Sequence, residues 1–194
     1  MTRGAETGRS SQTPSAWVER FVPLIRPGGL VLDLAAGAGR HSRILIERGF
    51  AVRAVDRDIS ALLTLAGPRC EISQVDLETG APWMLGYGYD GIVVTNYLYR
   101  SLLPAIANAL APNGLLIYET FALGNERLGH PRNPDFLLHP GELLQAFAML
   151  TVIAFEQGQV TSPRPAVIQR IAAVAGPLGR LPENPNLDSC RAKE

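Results

Sequence analysis

The sequence predicts an α/β fold in which helices cover both faces of a doubly wound, seven-stranded and mostly parallel sheet. Short apolar segments alternate with helix-like segments from residue 30 to residue 120, and this alternation is typical of parallel strands joined by helices. Two more β-like segments, 150–157 and 166–174, have only a short turn-rich stretch between them. They predict an antiparallel hairpin at the C-terminal end of the sheet.

The alternation begins with a strand, a tight turn and a helix. Residues 30–34 are apolar except for Asp33, and Gly37 and Gly39 follow before a helix-like segment at 40–48. Glycine adopts positive φ freely and lets a ligand approach the main chain, and a helix N-terminus presents unpaired N–H groups. A turn of this kind at the carboxyl end of a strand is typical of nucleotide-binding sites.

The rest of the chain supplies the other elements of the predicted domain. Further strands are expected at 51–55, 71–75, 91–95 and 115–120, and further helices at 16–25, 59–65, 101–111 and 140–148. The predicted domain spans 16–176. It lies between a polar arm at 1–15 and a proline-containing tail at 177–194, and both of these segments are expected to be flexible.

Composition and charge narrow the possible function classes. The 194 residues include 18 Lys and Arg and 18 Asp and Glu, for a formal net charge of zero, without the basic excess usual in nucleic-acid-binding proteins. The arm lacks the apolar core of a secretory signal, and no apolar run reaches the roughly 18 residues that span a bilayer. We therefore expect a cytoplasmic protein with no membrane partner, and nucleic acid is disfavoured as a partner.

The residues around the turn favour a cationic ligand over a dinucleotide. A dinucleotide-binding turn would have a third glycine at position 42, where this sequence has Ser42. Asp33 precedes the turn, and a carboxylate there would repel a pyrophosphate. S-adenosylmethionine carries a sulfonium and an ammonium group, so it suits such an acid. A NAD site and a turn that binds no ligand remain as alternatives.

Polar residues stand at the ends of four successive predicted strands: Asp33, Asp56, Asp76 and Asn96. In a doubly wound sheet these ends line one crevice. The carboxylate of Asp56 can accept hydrogen bonds from both hydroxyls of a ribose, and that of Asp76 can accept one from an adenine amino group. The alternative for each side chain is a solvated acid at a loop start or a helix cap.

With these motifs the chain resembles the class I S-adenosylmethionine-dependent methyltransferases, a family with a Rossmann-like fold. The matching segments are 31–40 (Val-Leu-Asp-Leu-Ala-Ala-Gly-Ala-Gly-Arg), 54–56 (Ala-Val-Asp), 75–77 (Val-Asp-Leu) and 89–96 (Tyr-Asp-Gly-Ile-Val-Val-Thr-Asn). The resemblance extends over residues 28–175. The turn at 36–41 and the segment 47–57 are similar to the small tellurite-resistance-type methyltransferases.

The resemblance implies a role for each residue of a cofactor site. It places Asp33 near the methionine portion and Asp56 at the ribose. It places Asp76 and Leu77 at the adenine, and Asn96 with Tyr97 near the transferred methyl group. The predicted cofactor-binding residues are Asp33, Ala35, Gly37, Gly39, Asp56, Arg57, Asp76, Leu77 and Asn96. Ala35 replaces the family's usual first glycine, and we expect its φ to be negative, as for most alanines.

The predicted function is methyl transfer from S-adenosylmethionine to a small-molecule acceptor. The alternatives are a non-catalytic S-adenosylmethionine-binding protein, a NAD-dependent oxidoreductase and an RNA methyltransferase. The sequence assigns no general base, and its three histidines are too scattered to predict a metal site. The identity of the acceptor and the oligomeric state are not predicted.

The loop at 121–139 is unusually long for a compact domain. It is predicted to be either a lid over the acceptor or a packed Ω-loop. As a lid, it would swing through a middle segment bounded by Gly124 and Gly129, while Phe136 and Leu137 anchor its far end.

Overall fold

A computed structural model describes residues 13–80 and 82–177. Its helices and strands, in chain order, are α1 (Ala16–Phe21), β1 (Leu30–Leu34), α2 (Arg40–Glu47), β2 (Ala51–Asp56), β3 (Cys70–Gln74), β4 (Tyr89–Thr95), α3 (Leu103–Asn108), β5 (Leu110–Phe121), α4 (Glu142–Ala146), β6 (Thr151–Val160) and β7 (Ala166–Val174). None of the helices in these described ranges is long and apolar enough to cross a membrane.

The predicted arm and tail fall mostly outside the described residues, at 1–12 and 178–194. The end of the predicted arm is held against the domain. Ser15 caps α1 by accepting the Trp17 N–H at 3.1 Å, and its hydroxyl donates to the Glu119 carboxylate at 2.8 Å. Ser15, which precedes the predicted start of the domain, therefore contacts both α1 and Glu119.

The strands form one seven-stranded sheet in the order β3-β2-β1-β4-β5-β7-β6. Neighbouring strands from β3 to β5 pair in parallel, and β7 is antiparallel to both β5 and β6. This confirms the predicted doubly wound sheet with a C-terminal hairpin. The strand order reverses between β1 and β4, and such a reversal opens a crevice at the carboxyl ends of the strands.

Side-chain alternation along β1 supplies both layers of the core. Leu32 and Leu34 pack into the cluster on one face of the sheet, and Val31 packs into the cluster on the other. All three are fully buried, as expected for a central strand covered by helices on both sides. The same alternation places Asp33 on the Val31 face, on which Leu45 of α2 also packs.

The helices predicted at 16–25, 101–111 and 140–148 are shorter in the structure, at Ala16–Phe21, Leu103–Asn108 and Glu142–Ala146. Two further elements differ more. The expected helix at 59–65 is reduced to a short 3-10 helix, Leu62–Leu65, and residues 60 and 61 form a turn before it. The strand expected at 115–120 begins earlier, at Leu110. An irregular register, in which Tyr89 pairs with Leu110 and Gly91 pairs with Leu115, accommodates the extra residues.

Candidate functional site

A cavity of about 360 Å³ lies where the chain leaves β1, β2, β3 and β4, at the reversal of strand order. The predicted cofactor residues that line it are Ala35, Asp56, Arg57, Asp76, Leu77 and Asn96. Parallel strands end at one edge of a sheet, and this brings residues distant in sequence into one crevice. Their contact with a cofactor stays a prediction.

The same cavity is also lined by Val75, Glu78, Tyr97 and Phe136. Three of these, Val75, Glu78 and Phe136, were not proposed as site residues from the sequence. Glu78 lies in the same strand-end loop as Asp76, so the strand-end pattern could have included it. Phe136 comes from the long loop, and no local signal distinguishes it from the other apolar residues there.

Asp56 joins the glycine turn to the end of β2. Its carboxylate accepts the Gly37 N–H at 2.8 Å and the Asp58 N–H at 3.0 Å, one on each oxygen. An ionised carboxylate offers about four acceptor positions, so each oxygen can accept one more donor. Because Asp56 also lines the cavity, that capacity is available to the hydroxyls of a ligand.

The two glycines of the turn have different surroundings. Gly39 has a φ of +75°, and a Cβ there would lie 2.6 Å from Leu65 and 2.8 Å from Leu62. Gly37 has a φ of +56°, and a Cβ there would meet nothing within 4 Å. Both glycines therefore suit a left-handed backbone, and at Gly39 a Cβ would in addition displace the ends of the Leu62 and Leu65 side chains. Neither glycine is among the residues that line the cavity.

Ala35 adopts a φ of +54°, so the expected negative value is wrong. The turn begins immediately after β1, and the N–H of the next residue, Ala36, donates to the Val55 carbonyl at 3.0 Å. The left-handed conformation costs a non-glycine residue about 1–2 kcal/mol. A glycine at this position would avoid that cost.

Substitutions at Ala35 and Gly37 should shift stability in opposite directions. Ala35→Gly removes the steric cost but adds chain entropy to the unfolded state, so we expect the free energy of unfolding to rise by about 0.5–1 kcal/mol. Gly37→Ala introduces the steric cost without a clash and removes chain entropy from the unfolded state, so it should lower the free energy of unfolding by about 0.5–1 kcal/mol. Urea denaturation checks both values. An Ala35→Gly protein destabilised as much as Gly37→Ala would contradict the conformation of Ala35.

Asp33 does not line the cavity and is 1% exposed. Its carboxylate accepts the Ser42 hydroxyl of α2 at 2.5 Å. Burial raises the pKa of Asp33 from 3.8 to about 6, although the bond from Ser42 opposes the shift. The acid before the turn therefore connects β1 to the start of α2, and its predicted contact with the methionine portion of a cofactor is not part of this geometry.

His41, also on α2, connects the N-terminal segment to β4. Its Nε2 accepts the backbone N–H of Ser15 at 3.1 Å, so Nε2 carries no proton, and Nδ1 lies 3.3 Å from the Thr95 hydroxyl. Burial and the neighbouring Arg40 lower the pKa of His41 to about 3. His41 is therefore a neutral structural residue, with Nδ1–H donating to Thr95.

The turn after β4 is held by β5. The Asn96 N–H donates to the Glu119 carbonyl at 2.9 Å, and Asn96 has a φ of +54°, a conformation that asparagine tolerates better than most residues. The Tyr118 hydroxyl donates to the Tyr97 carbonyl at 2.8 Å, and the Tyr118 ring packs on Phe147 with centroids 5.8 Å apart. This support fixes the position of Tyr97 at the cavity.

The Tyr97 hydroxyl is buried and has no hydrogen-bond partner within the described part of the chain. Burial raises the pKa of Tyr97, and the nearby carboxylates of Glu78 and Asp76 raise it further. The phenol therefore stays protonated near neutral pH. A buried hydroxyl without a partner is uncommon, and Tyr97 is one of the residues that line the cavity.

The long loop is held at its middle and at its far end. Asn125 is 1% exposed. Its amide oxygen accepts the Val167 N–H of β7 at 3.2 Å, and its amide nitrogen donates to the Pro131 carbonyl at 3.3 Å. Leu137 and Leu138 are buried, but Phe136 is 44% exposed. The segment expected to swing is thus pinned to β7, and Phe136 faces the cavity and does not anchor the loop.

Arg100 fixes the end of this loop to α4. Its guanidinium forms a bidentate pair with the Glu142 carboxylate, at 2.7 and 3.0 Å. It also donates to the carbonyls of Asp135 at 2.6 Å and Leu137 at 2.8 Å. Although burial opposes it, Arg100 and the His139 N–H hold the pKa of Glu142 below its usual range. The residues around Phe136 are therefore held by one side chain from outside the loop.

Arg100→Lys should loosen the loop because a lysine cannot reproduce the planar fork. We expect trypsin to cleave after Arg132 about 10-fold faster, since a loss of roughly 1.4 kcal/mol raises the open population tenfold. Mass spectrometry of the fragments measures the rate at each site. The matched control is Arg26→Lys, which alters the exposed Arg26–Asp90 pair. Equal cleavage of the two variants would contradict the role of Arg100.

A second cavity, of about 200 Å³, adjoins the first and shares Glu78, Asn96, Tyr97 and Phe136 with it. It extends to Thr120 at the end of β5. Within residues 13–80 and 82–177, no group of three or more His, Cys, Asp and Glu side chains could hold a metal ion. The two cavities together form a crevice that runs across the ends of the strands.

No protein-family profile and no curated protein sequence matches the chain. Solved structures share its fold. TehB from Haemophilus influenzae has a TM-score of 0.66 and 16% identity, over 81% of this chain and 60% of that chain. A TehB-like S-adenosylmethionine-dependent methyltransferase from Corynebacterium glutamicum has a TM-score of 0.60 and 17% identity, over 81% of this chain and 85% of that chain.

A third solved structure includes bound ligands. It is 1,6-didemethyltoxoflavin-N1-methyltransferase from Burkholderia thailandensis with 1,6-didemethyltoxoflavin and S-adenosylhomocysteine, with a TM-score of 0.63 and 23% identity over 87% of this chain and 80% of that chain. The chain thus has the fold of S-adenosylmethionine-dependent methyltransferases, and the resemblance predicted from its motifs is confirmed at the level of the fold. The match spans less than two thirds of the Haemophilus TehB chain.

Proposed function

We propose that this protein is a methyltransferase that binds S-adenosylmethionine and methylates a small-molecule acceptor. The observation that carries the proposal is the cavity at the reversal of strand order, with Asp56 and Asp76 at the ends of β2 and β3. A site at this position is where doubly wound sheets bind nucleotides. The methyltransferase fold of the chain supports the same assignment.

The charge of the cavity fits this cofactor better than NAD. Its acidic lining residues are Asp56, Asp76 and Glu78, and its basic lining residue is Arg57. Such a lining attracts a sulfonium and an ammonium group but repels a pyrophosphate. Asp56 would hold the ribose hydroxyls with the acceptor capacity that its two backbone bonds leave unused. Asp76 and Leu77 would lie along the adenine.

S-adenosylmethionine supplies a methyl carbon that its sulfonium already activates, so the protein has to position groups and exclude water. Alignment of two reactants alone can supply about 7–11 kcal/mol of the barrier. Phe136 can shield the crevice because it lines both cavities. The fixed turn at Asn96 and Tyr97 provides a rigid wall at the junction of the two cavities. We assign no general base to the described residues.

A small-molecule acceptor fits the second cavity, whose volume of about 200 Å³ admits a molecule of a few rings at most. The Burkholderia thailandensis methyltransferase with the same fold was solved with a small molecule, 1,6-didemethyltoxoflavin, which supports this class of acceptor.

The test is a screen of the full chain with S-adenosylmethionine and a panel of small amines, thiols, phenols and oxyanions of selenium and tellurium. Mass spectrometry would measure release of S-adenosylhomocysteine. We expect release that depends on one class of acceptor. It should persist in Asp58→Ala, because Asp58 lines neither cavity. Binding of the cofactor without release for any acceptor would instead support the non-catalytic alternative.

A further inference from the structure

The second cavity has a composition that restricts what it can bind. Its apolar walls come from Leu98, Phe121, Pro131 and Phe136, and its acidic residue is Glu78. No lysine, arginine or histidine is among the described residues that line it. The Arg164 guanidinium lies over the Phe121 ring at 5.7 Å but is not part of the lining. An anion entering this cavity would meet a carboxylate and no cation there.

Tyr97 supplies the polar contact that a ligand would need. Its hydroxyl is buried without a partner in the described part of the chain, and its side chain lines both cavities. The β5 residue Tyr118 donates to the Tyr97 carbonyl at 2.8 Å, so the backbone that carries this side chain is held in place. A bound molecule with a hydrogen-bonding nitrogen or oxygen would satisfy this hydroxyl, which otherwise remains desolvated at a free-energy cost.

We infer that the second cavity is the acceptor subsite and that it selects a flat, apolar, neutral or cationic molecule with a hydrogen-bonding nitrogen, and rejects anions. This inference rests on the proposed function and names its acceptor class. Phe121 and Phe136 contact the flat body of the acceptor, the Tyr97 hydroxyl bonds to its polar group, and the Glu78 carboxylate favours a positive charge. Oxyanions of tellurium and selenium are therefore poor acceptors.

Methyl transfer to such an acceptor is a direct displacement at the methyl carbon of S-adenosylmethionine. The lone pair of an unprotonated acceptor nitrogen forms a bond to the methyl carbon as the carbon–sulfur bond breaks, and the electron pair of that bond goes to sulfur. In a cationic acceptor the positive charge lies on another group. An acceptor with an N–H group then loses a proton to water. No oxidant, reductant or metal takes part in this step.

The experiment measures binding directly on the full chain saturated with S-adenosylhomocysteine. The probes are benzamidine, benzamide and benzoate, which have nearly the same shape and are cationic, neutral and anionic respectively, together with selenite. Calorimetry gives each dissociation constant. We expect benzamidine and benzamide to bind at least about 10-fold more tightly than benzoate, and selenite not to bind.

Two variants assign the effect to the cavity. Glu78→Gln should reduce the preference for benzamidine over benzoate by about 5-fold or more. Tyr97→Phe should weaken benzamidine and benzamide by about 5- to 10-fold without lowering the melting temperature, because the hydroxyl has no partner in the described protein. The controls are Glu47→Gln on α2 and Tyr87→Phe, since Tyr87 is an exposed tyrosine that lines neither cavity.

The outcomes separate the inference from the proposed function. Saturation with S-adenosylhomocysteine is itself followed by calorimetry before the probes are added. If S-adenosylhomocysteine does not bind, the proposed function is overturned, and the inference with it. Binding of S-adenosylhomocysteine would leave the proposed function standing. In that case the inference alone would be overturned if benzoate or selenite bound as tightly as benzamidine, if no neutral or cationic probe bound, or if both cavity variants behaved like their controls.

Discussion

Asp56→Ala is expected to weaken binding of S-adenosylhomocysteine by about 10- to 150-fold, because a charge-assisted pair of bonds to ribose hydroxyls contributes roughly 1.5–3 kcal/mol. The substitution also removes the acceptor of the Gly37 N–H. We expect that loss to reduce stability by about 1 kcal/mol without unfolding the domain. Calorimetric titration measures the affinity, and urea denaturation measures the stability.

A matched control separates the ligand contact from a general loss of acidic charge. Asp58 lies in the same loop, and its carboxylate accepts the Ser60 N–H at 3.0 Å, but it does not line the cavity. Asp58→Ala should therefore bind the cofactor product within about 2-fold of the parent protein. If the affinity fell equally in both variants, or in neither, Asp56 would not be a ribose ligand.

Asp33→Asn is expected to stabilise the protein increasingly as the pH rises. Because burial raises the pKa of Asp33 from 3.8 to about 6, the folded state binds this proton more tightly than the unfolded chain does. The stabilisation of the folded state by this proton is complete below pH 3.8 and is lost as the pH rises to about 6. Above that pH the buried carboxylate costs about 3 kcal/mol in all, at roughly 1.4 kcal/mol per pKa unit.

The pH dependence can be measured as the difference between two proteins, so that other titrating groups cancel. Between pH 5 and pH 8 the stability advantage of Asp33→Asn over the parent should grow by about 1.4 kcal/mol. Ser42→Ala should steepen the dependence in the parent sequence, because the Ser42 hydroxyl opposes the rise in the pKa of Asp33. Parallel pH profiles for the parent and Asp33→Asn would show that this carboxyl does not titrate with folding.

The sequence predicted the parallel part of the sheet well because its elements rest on local signals. The strand at 30–34 is bounded by glycine-containing turns, and the observed β1 has the same limits. The position of polar residues at strand ends also brought Asp56, Asp76 and Asn96 together correctly, since parallel strands end at one sheet edge. Side-chain direction was harder to predict: strand alternation turns Asp33 toward Ser42 of α2 and away from the cavity.

The parts that the sequence did not predict depend on contacts between distant residues. Ala35 has its left-handed conformation in a turn that is held by the bond from the Ala36 N–H to the Val55 carbonyl of the neighbouring strand. The loop after β5 is held by Arg100 and by Val167 of β7. None of these contacts has a local sequence signature. The loop sequence alone therefore could not distinguish a swinging lid from a packed segment.

The central claim is that the crevice binds S-adenosylmethionine. The most direct measurement is calorimetric titration of the full chain with S-adenosylhomocysteine and, separately, with NAD. We predict saturable binding of S-adenosylhomocysteine at one site and NAD binding at least about 100-fold weaker, a difference of roughly 2.7 kcal/mol. Tight binding of NAD with no response to S-adenosylhomocysteine would contradict the account.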